Sequence, residues 1–183
     1  AKFVNLIKDA VSKAPNSEMK TIRRIYIFGL GQNNYVARLF ARRIQNIGFE
    51  VYVPGPRDII SSSRKYDIAI FISNCGMRES MYRKMKTAIE EKCKIVVITA
   101  NPKSELAKVC EEVQGTVIHI FDKTTQIHTV DIMTNNNAAQ LERENKRAFE
   151  LSAMFYLEGI SVALMKKLNI TEKDLNHVAR EWE

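Results

Sequence analysis

The sequence predicts an α/β domain built on a parallel five-stranded sheet, and three observations carry the prediction. Five short runs are rich in Val, Ile and aromatic residues: "IYIF", "FEVYV", "IAIFIS", "KIVVIT" and "TVIHI". Each is separated from the next by a stretch long enough for a crossover, most of them helix-patterned. The runs are almost continuously apolar instead of alternating, as strands covered by helices on both faces require.

Taken in order, Phe3, Val4, Ile7 and Val11 stand at helical spacing, so a leading helix is expected within residues 1–20 before "APNS" breaks the pattern. The sheet core follows over residues 24–121. A strand is expected near Ile25–Phe28, then a helix near Tyr35–Ile47 closed by Gly48, then the strand "FEVYV" closed by "PGP". A polar "SSSRKYD" stretch leads to a strand at Ile68–Ser73, a helix from about Arg78 to Glu91 and the strand "KIVVIT". A helix near Ser104–Val113 and the strand "TVIHI" complete the alternation. Residues 122–183 hold a polar segment, suited to a lid or a subunit contact, then an apolar helix at Arg147–Leu168. Thr171 is placed to cap a short terminal helix, with Glu172 and Asp174 in its first turn.

At 183 residues the chain suits one domain able to bury a core without disulfides or metal. Its 45% hydrophobic and 27% charged content is that of a globular protein in water. The longest apolar stretch, Leu151–Met165, contains Glu158 and reads as a buried helix, so no membrane span is expected. The first residues lack the layout of a secretion signal, and the expected location is the cytoplasm. Cys75, Cys93 and Cys110 are odd in number and lack a Cys-x-x-Cys pair, while His119, His128 and His177 are scattered. Neither a disulfide framework nor a metal site is expected, and no cofactor is implied.

The net charge of +7 is uneven: residues 1–100 carry 18 Lys and Arg against 8 Asp and Glu, whereas residues 101–183 carry 10 against 13. Basic clusters such as Arg38–Arg43 and Tyr82–Lys86 lack any accompanying helix-turn-helix, aromatic RNA-binding or zinc-finger pattern, so nucleic acid is not the expected partner. Positive potential also attracts small anions such as sugar phosphates.

In an open parallel sheet, ligands gather at the carboxyl ends of strands where the strand order reverses. Two loops have suitable content. "GLGQNN" after the first strand offers Gly31, Gln32, Asn33 and Asn34; "SNCGMRES" after the third offers Ser73, Asn74, Cys75, Gly76, Arg78 and Ser80. Each mixes glycine with small polar residues just before a helix, so amides, hydroxyls and the helix dipole can converge on one anion. Tight turns and helix caps account for the same residues without any ligand. Cys75, at a helix start, also has the position that raises thiol acidity, but no histidine–acid pair accompanies it.

These residues resemble the sugar-isomerase (SIS) family of phosphosugar isomerases and phosphosugar-sensing regulators. The likeness runs through "IFGLG", "FARRIQNIGF" at Phe40–Phe49, "IFISNCGMRES" and "AFELSAMFYLEGISVALMKKLNITEKDL", and so covers nearly the whole chain. Within the family it is most similar to the 6-phospho-3-hexuloisomerases. The resemblance implies a three-layer α/β/α sandwich, flavodoxin-like and doubly wound, with extra helices at both termini, assembled as a homotetramer or homodimer. It implies metal-free interconversion of a 3-hexulose 6-phosphate and fructose 6-phosphate through an enediolate, or else a sensor that binds a phosphosugar without turnover.

The family loops carry Arg-Ser where this chain has Gln32 and Asn33, and Gly, Ser and Thr where it has Asn74, Cys75 and Arg78. Three phosphate-binding hydroxyls are therefore replaced, with the Asn33 amide, the Arg78 guanidinium and the Ser80 hydroxyl as substitutes. Glu150 in "RAFEL" matches the family's Phe-Glu motif and is the candidate base; a first-turn acid favoured by the helix dipole is its plain structural reading. Arg43 matches the family's helix arginine. The family's C-terminal histidine aligns with Ala179, two residues from His177, a rotation of roughly 200° on a helix. "ENKR" at Glu144–Arg147 replaces a Pro-x-Gly-Thr turn, and Pro56 stands where an acidic residue is usual.

Overall fold

The structure, a computed structural model, describes residues 2–9, 24–55, 67–120 and 138–171. Among them the elements run α1 (Lys2–Lys8), β1 (Ile25–Gly29), α2 (Gln32–Asn46), β2 (Val51–Tyr52), β3 (Ile68–Ile72), α3 (Glu79–Glu90), β4 (Lys94–Thr99), α4 (Glu105–Glu112), β5 (Thr116–His119) and α5 (Ala138–Leu168). The strands form one sheet in the order β2-β1-β3-β4-β5. Every pairing is parallel, with Gly29 level with Ile72 at the ends of β1 and β3.

The near-continuous apolar runs have a direct explanation. Every residue of β1 and β3 is buried, because successive side chains point to opposite faces and each face carries a helical layer. Ile25, Ile27, Ile68, Ile70, Ile72, Val96 and Ile98 pack with Phe3, Ile7, Phe40, Ile44, Phe149 and Leu157 of α1, α2 and α5. Tyr26, Phe28, Ala69, Phe71 and Val97 pack with Met81 and Met85 of α3 and with Leu106 and Cys110 of α4. Phe28 and Phe71 stack within that layer, ring centroids 4.8 Å apart. Each large apolar side chain so enclosed contributes about 1.5–3 kcal/mol.

Among the described residues the expected elements are present, with shifted boundaries. Helix α2 starts at Gln32 and not at Tyr35, since the Asn33 and Asn34 amides already donate to the carbonyls of Leu30 and Gly31 at 3.2 and 3.1 Å. The turn after β1 is thus only Leu30–Gly31, and Gln-Asn-Asn is the first turn of a helix. Strand β2 keeps two residues of "FEVYV", and α5 starts at Ala138, well before Arg147. Lys146–Leu168 is long and apolar enough to cross a bilayer, yet Phe149, Ala153, Leu157, Ile160 and Leu164 are buried along one of its faces. Val11, the polar segment after Phe121 as far as residue 137, and the helix expected beyond Thr171 lie outside the described residues.

Candidate functional site

Strand order decides where a ligand can sit. The chain leaves β1 towards β2 on one side and returns to β3 on the other, so a crevice opens between the loops following β1 and β3. It encloses about 340 Å³. The β1 side supplies Leu30, Gly31, Gln32 and Asn33; the β3 side supplies Ser73, Asn74, Cys75 and Arg78; Lys146 and Glu150 reach it from α5, and Ile72 and Met81 also line it.

Both loops are held by local hydrogen bonds. Gly31 caps α2 at φ 59° and ψ −129°, in the left-handed half of backbone space. The Asn34 amide nitrogen donates to the Gly29 carbonyl at 3.2 Å, and its oxygen accepts from Arg38 Nε at 2.7 Å. On the β3 side the Gly76 amide donates to Ser73 Oγ at 3.1 Å, and the Gly76 carbonyl accepts from the Leu106 amide at 3.2 Å. Thr99 Oγ1 donates to the Asn74 carbonyl at 3.0 Å. Gly76 has φ 63°, and a Cβ there would strike the Ser104 side chain, so the loop lies pressed against the start of α4.

The backbone amides of Asn33, Asn34 and Gly76 are therefore used internally. The polar residues that line the crevice are Gln32, Asn33, Ser73 and Asn74, with the cations Arg78 and Lys146. Asn33 Oδ1 is buried without a hydrogen-bond partner beside the crevice that Asn33 lines. Helices α2 and α3 both begin here with no side-chain cap, which leaves their positive dipole ends towards the crevice.

Glu150 lies half-buried on α5. Burial raises its carboxyl above the ordinary value, against the opposing pull of Arg147 and Lys146. A carboxylate so placed is a stronger base than one in water.

The structure thus brings together eight of the sequence candidates: Gly31, Gln32, Asn33, Ser73, Asn74, Cys75, Arg78 and Glu150. Four others do not line the crevice. Asn34 and Gly76 brace its loops, and Ser80 is exposed in the first turn of α3. Arg43 stands at the far end of α2, paired at 3.1 Å with Glu158 of α5. His177 lies outside the described residues. Lys146 was not among the sequence candidates; its one signal was its place a helical turn before Glu150. Among the described residues no group of three or more His, Cys, Asp or Glu could hold a metal. His119 Nε2 is engaged with the Ala100 carbonyl at 3.0 Å.

Comparison with known proteins adds a family. A profile of the SIS domain matches residues 18–141, a span that ends before Lys146 and Glu150. A 3-hexulose-6-phosphate isomerase of Methanocaldococcus jannaschii is 29% identical over 153 residues, covering 84% of this chain and 73% of that protein. A protein of the same name from Methylomonas aminofaciens is 29% identical over 163 residues, covering 87% and 81%. A crystal structure from Methanococcus jannaschii, whose authors inferred a 3-hexulose-6-phosphate isomerase, superposes with a TM-score of 0.67 at 22% identity over 96% of this chain and 81% of that one. At that identity the likeness speaks for the fold alone.

Proposed function

The chain belongs to the SIS domain family, and from that premise we propose that it is a phosphosugar isomerase that interconverts a 3-hexulose 6-phosphate and fructose 6-phosphate. The observation that carries this reading is the convergence of a desolvated carboxylate, Glu150, with both strand-end loops in one crevice. In the reaction, Glu150 takes the proton from C3 of fructose 6-phosphate while the carbonyl at C2 accepts the electron pair, giving a 2,3-enediolate. Return of a proton to C2 and transfer of the remaining hydroxyl proton from O3 to O2 leaves the carbonyl at C3. Lys146 and Arg78 supply positive charge where the phosphate and the developing oxyanion need it. The Gln32, Asn33 and Asn74 amides serve the sugar hydroxyls.

A second reading has an observation of its own. Asn74, Cys75 and Arg78 occupy positions where the resembling isomerases carry glycine and hydroxyl residues, and Ser73 Oγ is already engaged by Gly76. A phosphosugar-binding sensor without turnover fits that loss. The deciding experiment is a thermal-shift titration with fructose 6-phosphate beside a coupled isomerase assay, repeated with Arg78→Ala. Stabilisation by mass action that is weakened in the variant and accompanied by turnover supports the isomerase. Stabilisation without turnover supports the sensor, and no shift with any phosphosugar removes both.

Assembly as a homodimer or homotetramer is part of the proposal. Tyr35 of α2 is 70% exposed and Phe155 of α5 is 71% exposed, with Leu39, Leu151 and Val162 also exposed on the same two helices. Large apolar side chains left in water on adjacent helices suit a subunit contact.

A further inference from the structure

The loop that follows β3 does not stand by itself. Hydrogen bonds fasten it to β4, to α4 and to the turn between them. The Ser73 amide donates to the Ile98 carbonyl at 3.0 Å, and the Gly76 carbonyl accepts from the Leu106 amide at 3.2 Å. Between these, the Asn74 carbonyl accepts from both Thr99 Oγ1 at 3.0 Å and the Ala100 amide at 3.2 Å. Ala100 is fixed in turn, because its own carbonyl accepts from His119 Nε2 of β5 at 3.0 Å.

Thr99 ends β4 and is completely buried. It does not line the crevice, so its influence there must pass through Asn74. A hydroxyl carries one hydrogen, and of the two carbonyls within its reach Asn74, at 3.0 Å, is nearer than Asn101, at 3.4 Å. The same oxygen accepts from the Asn101 amide at 3.0 Å, which polarises the hydroxyl and strengthens what it donates.

Both hydrogen bonds reach the Asn74 carbonyl from the β4 side. In a trans peptide the carbonyl and the N–H that follows it point in opposite directions, and no described peptide bond is cis. The Cys75 N–H is therefore turned away from β4, and β1 with its loop lies on that side of β3. The crevice opens there. Among the described residues that N–H has no acceptor.

Resting on the phosphosugar reading above, we infer that Thr99 is a positioning residue for this crevice: its hydroxyl pins the Asn74–Cys75 peptide, and through it sets Asn74, Cys75 and Arg78 against the bound sugar phosphate. Without that hydroxyl, the Ala100 amide alone holds the Asn74 carbonyl and the Asn101 amide loses its acceptor. The peptide plane is then free to tilt, and small displacements of the groups that hold a ligand weaken both its binding and its orientation for proton transfer. The role belongs to one hydroxyl, so serine can fill it and valine, close to threonine in shape, cannot.

The test is isothermal titration calorimetry of the full chain with fructose 6-phosphate, each variant held below the onset of its melting curve. Thr99→Val is expected to raise Kd about three- to tenfold, the worth of one hydrogen bond, whereas Thr99→Ser stays within about twofold of the parent. Ile95→Val, at the other end of β4, trims a buried side chain and lowers stability without touching the loop, so its Kd is unchanged. Because Thr99 acts through the loop that carries Arg78, its effect on Kd shrinks in an Arg78→Ala background. An unchanged Kd in Thr99→Val, an equal loss in Thr99→Ser or Ile95→Val, or effects that simply multiply with Arg78→Ala would overturn the inference and leave the phosphosugar reading standing. A second measurement needs no variant: fructose 6-phosphate slows hydrogen exchange at the Cys75 amide of the parent, and an unaltered rate overturns the inference as well. A parent chain that binds no phosphosugar removes both.

Discussion

Replacing Gly76 by alanine perturbs the floor of the crevice, and its cost can be built from parts. At φ 63° an alanine adopts a left-handed backbone at about 1–2 kcal/mol, offset by about 0.4–1 kcal/mol from the stiffer unfolded chain. The new Cβ also meets Ser104, whose Cβ would lie 2.5 Å away and whose Oγ would be struck directly. Ser104 caps α4 by accepting from the Ala107 amide at 3.3 Å, and losing such a cap costs about 1 kcal/mol. Gly76→Ala should therefore lose about 1–3 kcal/mol in all. The assay is urea unfolding, where a loss of that size moves the midpoint by roughly 0.5–2 M if the slope is unchanged. Ser104→Gly in the same chain removes the struck atoms, so the double variant should lose less than the sum of the singles. An unchanged midpoint in Gly76→Ala, or strict additivity with Ser104→Gly, would refute the reasoning.

Three further predictions follow from the same geometry. Because burial lifts Glu150 above its ordinary 4.5, the folded chain holds that proton more tightly than the unfolded one. Its contribution to stability is fully present below about pH 4 and is lost as pH rises through the raised value, so Glu150→Gln should be more stable than the parent at neutral pH and lose that advantage in acid, read by melts across pH. Cys110, buried and pushed up to about 11, should resist thiol reagents in the folded state, while exposed Cys75 reacts and is protected by fructose 6-phosphate; mass spectrometry of labelled peptides checks both. Arg43→Ala should change stability by no more than about 1 kcal/mol, because its pairing with Glu158 joins two side chains that are 52% and 42% exposed, and denaturant unfolding measures it.

The sheet was legible because each strand is buried on both faces, so Ile68–Ile72 had to be apolar at every position. The crevice loops were legible for a related reason: glycine and small polar residues at strand ends mark where a backbone turns into a helix. The start of α2 was not, because Gln32 and Asn33 are neutral helix residues and only the hydrogen bonds of Asn33 and Asn34 to Leu30 and Gly31 place them inside it. Motif matching named both Glu150, which lines the crevice, and Arg43, which the fold sends to the opposite end of α2. In the sequence Lys146 and Arg147 stood out only as part of a departure from the family's turn, because their proximity to Gln32 depends on how α5 packs, a contact that no local pattern encodes. The long-range fold is also what desolvates Glu150.

The most direct measurement is proton exchange at the reacting carbon. Fructose 6-phosphate incubated with the protein in heavy water and followed by NMR should take up deuterium at C3, since the enediolate returns solvent hydrogen on reversal, and Glu150→Gln should abolish the uptake while the ligand still binds. Binding of fructose 6-phosphate with no deuterium at C3, or exchange undiminished in Glu150→Gln, would contradict the account of this crevice as an isomerase site with Glu150 as its base.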